Sequence, residues 1–305
     1  MKVFYSELTA NPAYYSFGYS VYAELEAGDM LGECYEKGFL PFVGAREQNP
    51  HMLYMARGTR VRVPEFEEKH YHTRVRRKVA HVLPKGIETK VSTRSEHTNL
   101  AGIAEFFLSY FSFRFGEGAM SRERFEAILN GPFITHVVEY HSAGELIGYT
   151  LEVHTDSFIH VWHQAYTKKY EGSHIGIAMY LELLARAKQE GKSFLYFGVT
   201  HGTHMEYKTN FQPLEFWNGR AWVHDTHSRE LKELLRGDST RLLAYVDEWR
   251  EALGAYRTSP YPFTSTIAEL RYLALFAVQH RRIFGVYVIL LGVLFGLIFF
   301  AISVI

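Results

Sequence analysis

The side chains best suited to chemistry follow one apolar strand in the second half of the sequence. Residues 196–217 read YFGVTHGTHMEYKTNFQPLEFW. A histidine or a carboxylate can accept a proton from an attacking amine, and a tyrosine or a lysine can donate a hydrogen bond to a developing oxyanion. This combination favours acyl transfer to an amine, with five candidate catalytic residues: His201, His204, Glu206, Tyr207 and Lys208. The alternative is that Tyr207 and Phe211 are core aromatics and Lys208 a solvated cation.

The overall charge of the chain gives no global attraction to nucleic acid or to a membrane. Among 305 residues, 33 Lys and Arg balance 33 Asp and Glu, and 47% of the residues are hydrophobic. Such a chain can bury a core, and any attraction to a polyanion must be local. Cys34 is the one cysteine, which excludes an intrachain disulfide and a site of several thiolates, and the 16 histidines show no ligand spacing. The sequence therefore predicts no metal site.

The segment 96–225 carries the elements that must position the polar stretch. Helical periodicity with a glycine stop predicts two helices, which end at Gly116 and Gly131. Three extended runs follow, then the amphipathic stretch IGIAMYLELLARAKQEGK and the buried strand SFLYFGVT. Two helices, a three-stranded meander, a helix and a further strand make an α+β (α/β) order that resembles the GNAT acyltransferase fold. In that fold the strands flanking the last helix part to form a cleft, where the polar stretch would lie.

Three other regions flank this predicted catalytic domain. Residues 1–95 read as short strands and turns and form a predicted N-terminal β-rich subdomain. Residues 226–282 are helical and partly amphipathic, which suits a stalk. Residues 283–305, IFGVYVILLGVLFGLIFFAISVI, are 23 residues without a charge, enough to cross a hydrocarbon core of about 30 Å. A buried core helix is the alternative for this last region.

The predicted C-terminal transmembrane helix would anchor the protein by its tail. Arg281 and Arg282 precede it, and basic residues favour the cytoplasmic side. The first residues, MKVFYSELTANPAYY, lack the apolar core of a signal peptide. The sequence thus predicts a single-pass, tail-anchored membrane protein with its soluble part in the cytoplasm.

The polar stretch also carries a spaced motif. Tyr196 and Gly198 of the preceding strand are followed by HMEYKTNFQPLEFW. Six residues stand at the spacing of the carboxy-terminal signature of one family: Met205, Tyr207, Lys208, Phe211, Pro213 and Glu215. In this respect the chain resembles the aminoacyl-tRNA:protein transferases of the N-degron pathway, both the eukaryotic arginyl and the bacterial leucyl enzymes. His204 stands where that family has a lysine.

The resemblance implies an enzyme that moves arginine or leucine from aminoacyl-tRNA to the N-terminal α-amine of an acceptor polypeptide whose first residue is acidic. It implies no cofactor, because the aminoacyl ester is already activated and serves as co-substrate. Substrate contacts would come from five residues of the motif region: Tyr196, Gly198, Met205, Phe211 and Glu215. The acidic residue would be bound by Arg57, Arg60 and Arg62.

The similarity extends to the N-terminal part of the chain, with one departure. PAYYSFGYSVYAELEAG and YEKGFLPF precede an Arg-Val run, as in the bacterial enzymes. Where that family has several cysteines, the stretch NPHMLYMARGT has none. Metal or iron–sulfur chemistry held by such cysteines is therefore not expected here.

Transfer RNA would need positive charge, and one basic segment supplies it. Between His70 and Arg94, seven lysines and arginines stand against Glu88 alone. Neutralising several phosphates would make binding strongly salt-dependent. The predicted tRNA contacts are Arg74, Arg76, Arg77 and Lys78. The alternatives are a solvated strand or helix face and contact with anionic lipid headgroups.

Two other functions are compatible with the sequence. An acyl-CoA-dependent GNAT N-acyltransferase would bind coenzyme A at the turn KKYEGSHIGIAMYLE, where two glycines allow close approach and Lys168 and Lys169 add positive charge. Glu171 in the same turn and the unusual glycine spacing weigh against it. The second is a catalytically inactive, membrane-tethered paralogue that binds N-termini. The aminoacyl group and the acceptor, whether protein, lipid or small amine, stay open at this stage.

Overall fold

The described part of the chain is a mixed α/β fold. The computed structural model describes residues 1–5, 21–43, 49–224 and 229–237, all of which belong to one compact unit, Met1–Thr258. These residues form two β-sheets and six α-helices. The mixed α/β class predicted from the sequence is therefore confirmed.

The smaller sheet is built from the N-terminal part of the chain. Its strands are β1 (Lys2–Tyr5), β2 (Val21–Glu24), β3 (Phe39–Pro41) and β4 (Met52–Met55). They are antiparallel and lie in the order β1-β2-β4-β3. The short helix α1, Leu31–Glu36, precedes β3 and buries Cys34 and Tyr35.

The larger sheet has eight strands and positions the site. Its strands are β5 (Gly58–Arg62), β6 (Glu88–Thr93), β7 (His136–Ser142), β8 (Glu145–His154), β9 (Phe158–Tyr166), β10 (Phe194–Val199), β11 (Leu214–Trp217) and β12 (Trp222–His224). They lie in the order β12-β11-β5-β10-β9-β8-β7-β6. Every neighbouring pair is antiparallel except β9 and β10, which are parallel.

Helices cover both faces of the larger sheet. In chain order they are α2 (His70–Val82), α3 (Leu100–Phe115), α4 (Arg122–Asn130), α5 (Ile175–Gln189) and α6 (Arg229–Gly237). Successive strand residues point to opposite faces. Val137 packs with the core of α3 and α4, whereas Val138 packs with the core of α2 and α5. Both faces of the sheet are thus buried, which explains why the strands of its centre are apolar almost throughout.

The order of elements predicted for residues 96–225 is confirmed. The chain runs through α3, α4, β7, β8, β9, α5 and β10, and a glycine follows each of the first two helices at Gly116 and Gly131. Side chains of Asn99 and Ser121 accept the hydrogen bonds that begin these helices. The predicted domain boundary after residue 95 falls between β6 and α3, and strands from both sides of it share the larger sheet.

The predicted stalk and anchor fall largely outside the described residues. Of the stalk region 226–282, only α6 is described, with Leu231 and Leu235 buried. The predicted transmembrane region 283–305 lies entirely outside. In the part of the chain that is described, no helix combines the length and the hydropathy needed to cross a membrane.

Candidate active site

The site lies where the parallel strands β9 and β10 separate. Their pairing runs from Phe194 opposite Phe158 to Tyr196 opposite His160, and it ends there. At the same position β10 has an irregular register against β5, and Gly198 adopts a φ of +72°, which glycine takes without strain. The two strands therefore open into a gap on one side of β10.

Lys208 binds backbone carbonyls at this gap. It belongs to the 3₁₀ helix Thr203–Asn210, which follows β10. Its Nζ donates to the carbonyl oxygen of Phe197 at 2.7 Å and to that of Val199 at 2.6 Å. Buried carbonyls need a hydrogen-bond partner, and a lysine here replaces the missing strand pairing. The alternative of a solvated cation is wrong, because Lys208 is only 5% exposed.

Burial gives Lys208 an unusual protonation equilibrium. Desolvation lowers its pKa from 10.5 to about 7. A neutral amine has two N–H donors and one lone pair, and the two carbonyls occupy both donors. The ammonium form has a third donor. Lys208 can therefore gain or lose a proton near neutral pH while it keeps both backbone bonds.

A cavity of about 160 Å³ occupies the gap. Residues 160–164 of β9 and residues 197–199 of β10 form two of its walls, and aromatic rings from α3 and α5 form others. Apolar walls with a few polar groups are typical of ligand sites. Four of the residues predicted from the sequence line this cavity: Gly198, Met205, Tyr207 and Lys208.

Two histidines of β9 line the cavity and were absent from the sequence-based prediction. His160 is 1% exposed, and its Nδ1 shares a hydrogen bond of 2.8 Å with the hydroxyl of Tyr35. The Nε2 atoms of His160 and His163 have no partner among the described residues. Burial lowers the pKa of both rings to about 3, so both are neutral. The available signal was the run FIHVWHQAY, which places polar side chains in a strand buried on both faces.

A second space of about 490 Å³ continues the cavity towards the start of α5. The two spaces share five lining residues, namely Tyr110, Phe115, Gln164, Met205 and Tyr207. Gly172, His174 and Gly176 line its far part, and Nε2 of His174 lies 3.4 Å from Nζ of Lys78 on α2. The two spaces are therefore adjacent, and Lys78 of α2 contacts a residue that lines the second one.

Of the remaining predicted catalytic residues, one lines the cavity, two do not, and the side chain of the fourth is not among those described. Tyr207 is half-buried and lines both spaces, and burial raises its pKa well above the ordinary value, so its hydroxyl stays protonated. Neither His201 nor Glu206 lines the cavity, and the Glu206 carboxylate lies 3.9 Å from the Arg236 guanidinium. The side chain of His204 is outside the described part.

The structure gives Arg60, Arg62 and Glu215 a different role from the predicted one. The Nε atoms of the two arginines donate to the two oxygens of the Glu215 carboxylate, at 2.7 and 2.6 Å. Arg60 also binds the carboxylate of Glu36 at 2.7 Å and the hydroxyl of Tyr196 at 2.8 Å. The arginines predicted to bind an incoming acidic residue therefore already bind internal carboxylates, and these contacts join β5, β10, β11 and α1.

Phe211 and Arg57 also lie away from the cavity lining. Phe211 is fully buried, and its ring packs 4.9 Å from that of Phe197 and 5.4 Å from that of His72. The core-aromatic interpretation describes Phe211 better than a substrate contact. Arg57 is half-buried, and its carbonyl accepts the N–H of Thr200 at 2.8 Å, which holds the end of β10.

The four predicted tRNA contacts lie together on α2 but differ in their surroundings. Arg74, Arg77 and Lys78 are exposed. Arg76 instead binds Glu68 at 2.6 Å and Glu182 of α5. Arg76 therefore fastens α2 to α5, while the other three cations form an exposed basic face next to His174. Across the described residues, no group of three or more His, Cys, Asp or Glu side chains is arranged to hold a metal ion.

The fold and the site define a class of mixed α/β protein with a ligand cleft between two parting parallel strands. Residues 103–218 match the family model described as "Arginine-tRNA-protein transferase, C terminus". This match agrees with the resemblance to the aminoacyl-tRNA:protein transferases that the spaced motif predicted.

Two curated relatives are similar to part of the chain. The chain is 26% identical over 182 residues to the aspartate/glutamate leucyltransferase of Paracoccus denitrificans, which covers 53% of this chain and 62% of that protein. It is 33% identical over 100 residues to the protein of that name from Rhizorhabdus wittichii, over 30% of this chain and 38% of that protein. The chain thus spans less than two thirds of the length of these relatives.

Two solved structures of low sequence identity are similar to part of this fold. L-PGS from Bacillus licheniformis is 13% identical with a TM-score of 0.36, over 70% of this chain and 62% of that chain. The ribosomal-protein-alanine N-acetyltransferase of Brucella melitensis is 15% identical with a TM-score of 0.27, over 36% of this chain and 77% of that chain.

We expect the stability of the protein to rise with pH above neutrality because of Lys208. An unfolded lysine keeps its proton up to a pKa of about 10.4, whereas folded Lys208 loses it at about 7. Between these values the unfolded state binds the extra proton, so the free energy of unfolding increases as pH rises. Urea unfolding curves recorded through this window should show that rise in the wild type and a flatter profile in Lys208→Met. Lys188→Met removes an exposed lysine as the control; an unchanged rise in Lys208→Met would contradict the assignment.

Proposed function

We propose that the protein transfers an aminoacyl group from aminoacyl-tRNA to the N-terminal α-amine of an acceptor polypeptide, in a GNAT-like cleft between β9 and β10. The family of residues 103–218 supports this reaction class. The observation that carries the proposal is the buried amine of Lys208, with a pKa of about 7, in the wall of the cavity. Leucine is the donor group of first choice, because both relatives are named leucyltransferases.

The aminoacyl-tRNA would enter along α2 and α5. The exposed basic face of Arg74, Arg77 and Lys78 suits the phosphates near the end of the acceptor arm. Lys78 adjoins His174 at the start of α5, and a helix N-terminus favours a phosphate group. The space that begins there adjoins the cavity lined by Lys208, so the 3′-terminal ester would reach the gap between the strands.

Lys208 would act first as the general base and then as the general acid of the reaction. The acceptor amine, with a pKa of about 8, attacks the ester carbonyl carbon as the neutral species. A C–N bond forms, and the C–O bond to the ribose breaks. The lone pair of neutral Lys208 takes the proton that the amine loses, and the resulting ammonium returns it to the leaving ribose oxygen. The protonated hydroxyl of Tyr207 donates to the carbonyl oxygen as negative charge develops there.

Gly198 and His160 would keep the reaction space open and uncharged. A Cβ atom added at Gly198 would lie 3.2 Å from Nε2 of His160, so a larger residue would narrow the gap. A pKa of about 3 leaves His160 neutral at physiological pH. It therefore neither competes with Lys208 for the proton nor repels the ammonium form.

We expect the full chain to transfer labelled leucine or arginine from charged tRNA to a peptide with N-terminal Asp. Lys208→Arg should lower kcat by about 10²- to 10⁴-fold, the usual contribution of general acid–base catalysis. Arginine can still donate to both carbonyls, but it does not release a proton at neutral pH. The measurement is label incorporated into the peptide, with Lys188→Arg on the surface of α5 as the matched control.

The same assay separates the alternatives. Full activity in Lys208→Arg would remove the proposed proton transfer. If acetyl-coenzyme A serves as a donor and aminoacyl-tRNA does not, the result would favour the acyl-CoA-dependent N-acyltransferase. Peptide binding without transfer from either donor would favour the inactive paralogue.

Charge reversal on α2 should weaken tRNA binding and its dependence on salt. Each lost phosphate contact reduces the slope of log K against log salt concentration by about one. The triple variant Arg74→Glu, Arg77→Glu, Lys78→Glu should therefore bind charged tRNA more weakly and with a shallower slope in a filter-binding titration. Lys188→Glu, about 20 Å along α5 from His174, is the control. An unchanged slope in the triple variant would exclude the α2 face.

We also propose that residues 283–305 anchor the protein in a membrane, with residues 226–282 as the stalk and the soluble part in the cytoplasm. Support comes from the 23 uncharged residues and from Arg281 and Arg282 before them. Full-length protein made with phosphatidylcholine vesicles should float with them in a density gradient and resist extraction at high salt. A chain truncated after residue 282 should stay at the bottom, and flotation of the truncated chain would contradict the anchor.

A further inference from the structure

The cavity has a second end, defined here by lining residues that it does not share with the space at the start of α5. Its lining includes residues of β3 and the segment after it, and the α4 residues Arg124 and Ile128. None of these lines the space at the start of α5. If the donor enters from α5, this second end is where the acceptor can approach Lys208.

Arg124 is the arginine that lines this end, and its guanidinium is only partly used. Its Nε donates to the carbonyl oxygen of Val43 at 2.9 Å, which fixes the direction of the side chain. Among the described residues, its two terminal nitrogens have no hydrogen-bond partner and no carboxylate lies within ion-pair distance.

Several other arginines of the fold bind carboxylates instead. Arg60 and Arg62 bind Glu215, Arg76 binds Glu68, and Arg186 binds Glu152 through both oxygens at 2.7 and 2.6 Å. Two positions from Arg124 on the same helix, Arg122 binds Glu105 at 2.6 Å. A half-buried guanidinium without a carboxylate, in the wall of a cavity, is therefore a site prepared for an anion from outside.

The surroundings of Arg124 favour one kind of anion. Its neighbour in the cavity wall, His163, has its pKa lowered to about 3 by burial and by the charge of Arg124, so the ring carries no charge. The other groups at this end are largely apolar: Pro41, Phe42, Val43 and Ile128. A small carboxylate on an apolar stem matches a fork of two N–H donors with an apolar rim.

We propose that Arg124 binds the side-chain carboxylate of the first residue of the acceptor, and thereby selects acidic N-termini. This inference rests on the proposed aminoacyl transfer. It gives Arg124 the role that the sequence had suggested for Arg57, Arg60 and Arg62. The terminal carboxylate forms a paired hydrogen bond with the guanidinium, while the α-amine of the same residue faces Lys208 at the gap between β9 and β10.

The test compares matched acceptors in the full chain. Peptides that differ only in an N-terminal Asp or Asn are titrated with wild type, Arg124→Gln, Arg124→Lys and the control Arg122→Gln, which removes a neighbouring cation outside the cavity. Arg124→Gln should lower kcat/KM for the Asp peptide by about 10- to 100-fold and change that for the Asn peptide by less than about threefold, as expected for a charge-assisted pair. Arg124→Lys should keep an intermediate preference, because it keeps the charge and loses the fork.

Three results would overturn the inference while leaving the transfer reaction intact. They are an unchanged ratio between the Asp and Asn peptides in Arg124→Gln, an equal loss for both peptides, and the same shift of the ratio in Arg122→Gln. Thermal unfolding of each variant shows whether loss of the bond to Val43 has affected folding, and Arg124→Lys provides the rescue.

A binding measurement separates this inference from the proposed function. Fluorescence anisotropy of labelled Asp and Asn peptides is recorded with the full chain in the absence of any donor. A preference for Asp that is lost in Arg124→Gln supports the site even if no donor is transferred. Transfer without any preference for Asp in binding or in kcat/KM would contradict the Arg124 site but not the transfer reaction.

Discussion

The site depends on the bonds between one buried lysine and two carbonyls at the place where β9 leaves β10. Each of these carbonyls, if left without a partner in the interior, would cost about 1–3 kcal/mol. Lys208 provides the partner for Phe197 and Val199 from the helix that follows the strand. The gap can therefore stay open, and the burial that makes this arrangement stable also lowers the pKa of Lys208 to about 7. The burial of Lys208 is thus the common cause of the open gap and of the lowered pKa.

The other side of β10 is held by charges contributed from far along the chain. Arg60 and Glu215 are 155 positions apart, and their contact joins β5 to β11 beside β10. Breaking a buried pair by removing one partner leaves an uncompensated charge, typically at a cost of about 3–5 kcal/mol. The glutamate of the spaced motif is thus tied to the N-terminal part of the chain. The motif and that part form one structural unit, and Glu215 is a structural position of the motif.

The zero net charge of the chain conceals an ordered distribution. Several arginines inside the fold are matched by carboxylates, as in the pairs of Arg60 and Arg186. Lys78 of the exposed α2 face contacts His174 at the start of α5, and Arg124 lines a part of the cavity that is not shared with the space there. A polyanionic donor and an anionic acceptor would therefore be directed to different entrances, with an almost uncharged reaction space between them.

Sequence alone determined the features that arise locally. Helical periodicity and glycine stops predicted the order of helices and strands, and the spacing of Met205, Tyr207 and Lys208 predicted the polar turn and its family. The basic character of α2 is likewise a local property.

Tertiary structure decided which of these groups meet. The alternation of side chains along a strand shows which face of the sheet a residue occupies, but not which residue lies next to it on the neighbouring strand. Nothing in the sequence therefore showed that Arg60 and Arg62 meet Glu215, or that His160 lies beside Gly198. The pKa of Lys208 depends on burial, and the bond from Arg124 to Val43 joins segments distant in sequence. Pairing between segments far apart in sequence created these properties, and no local pattern records them.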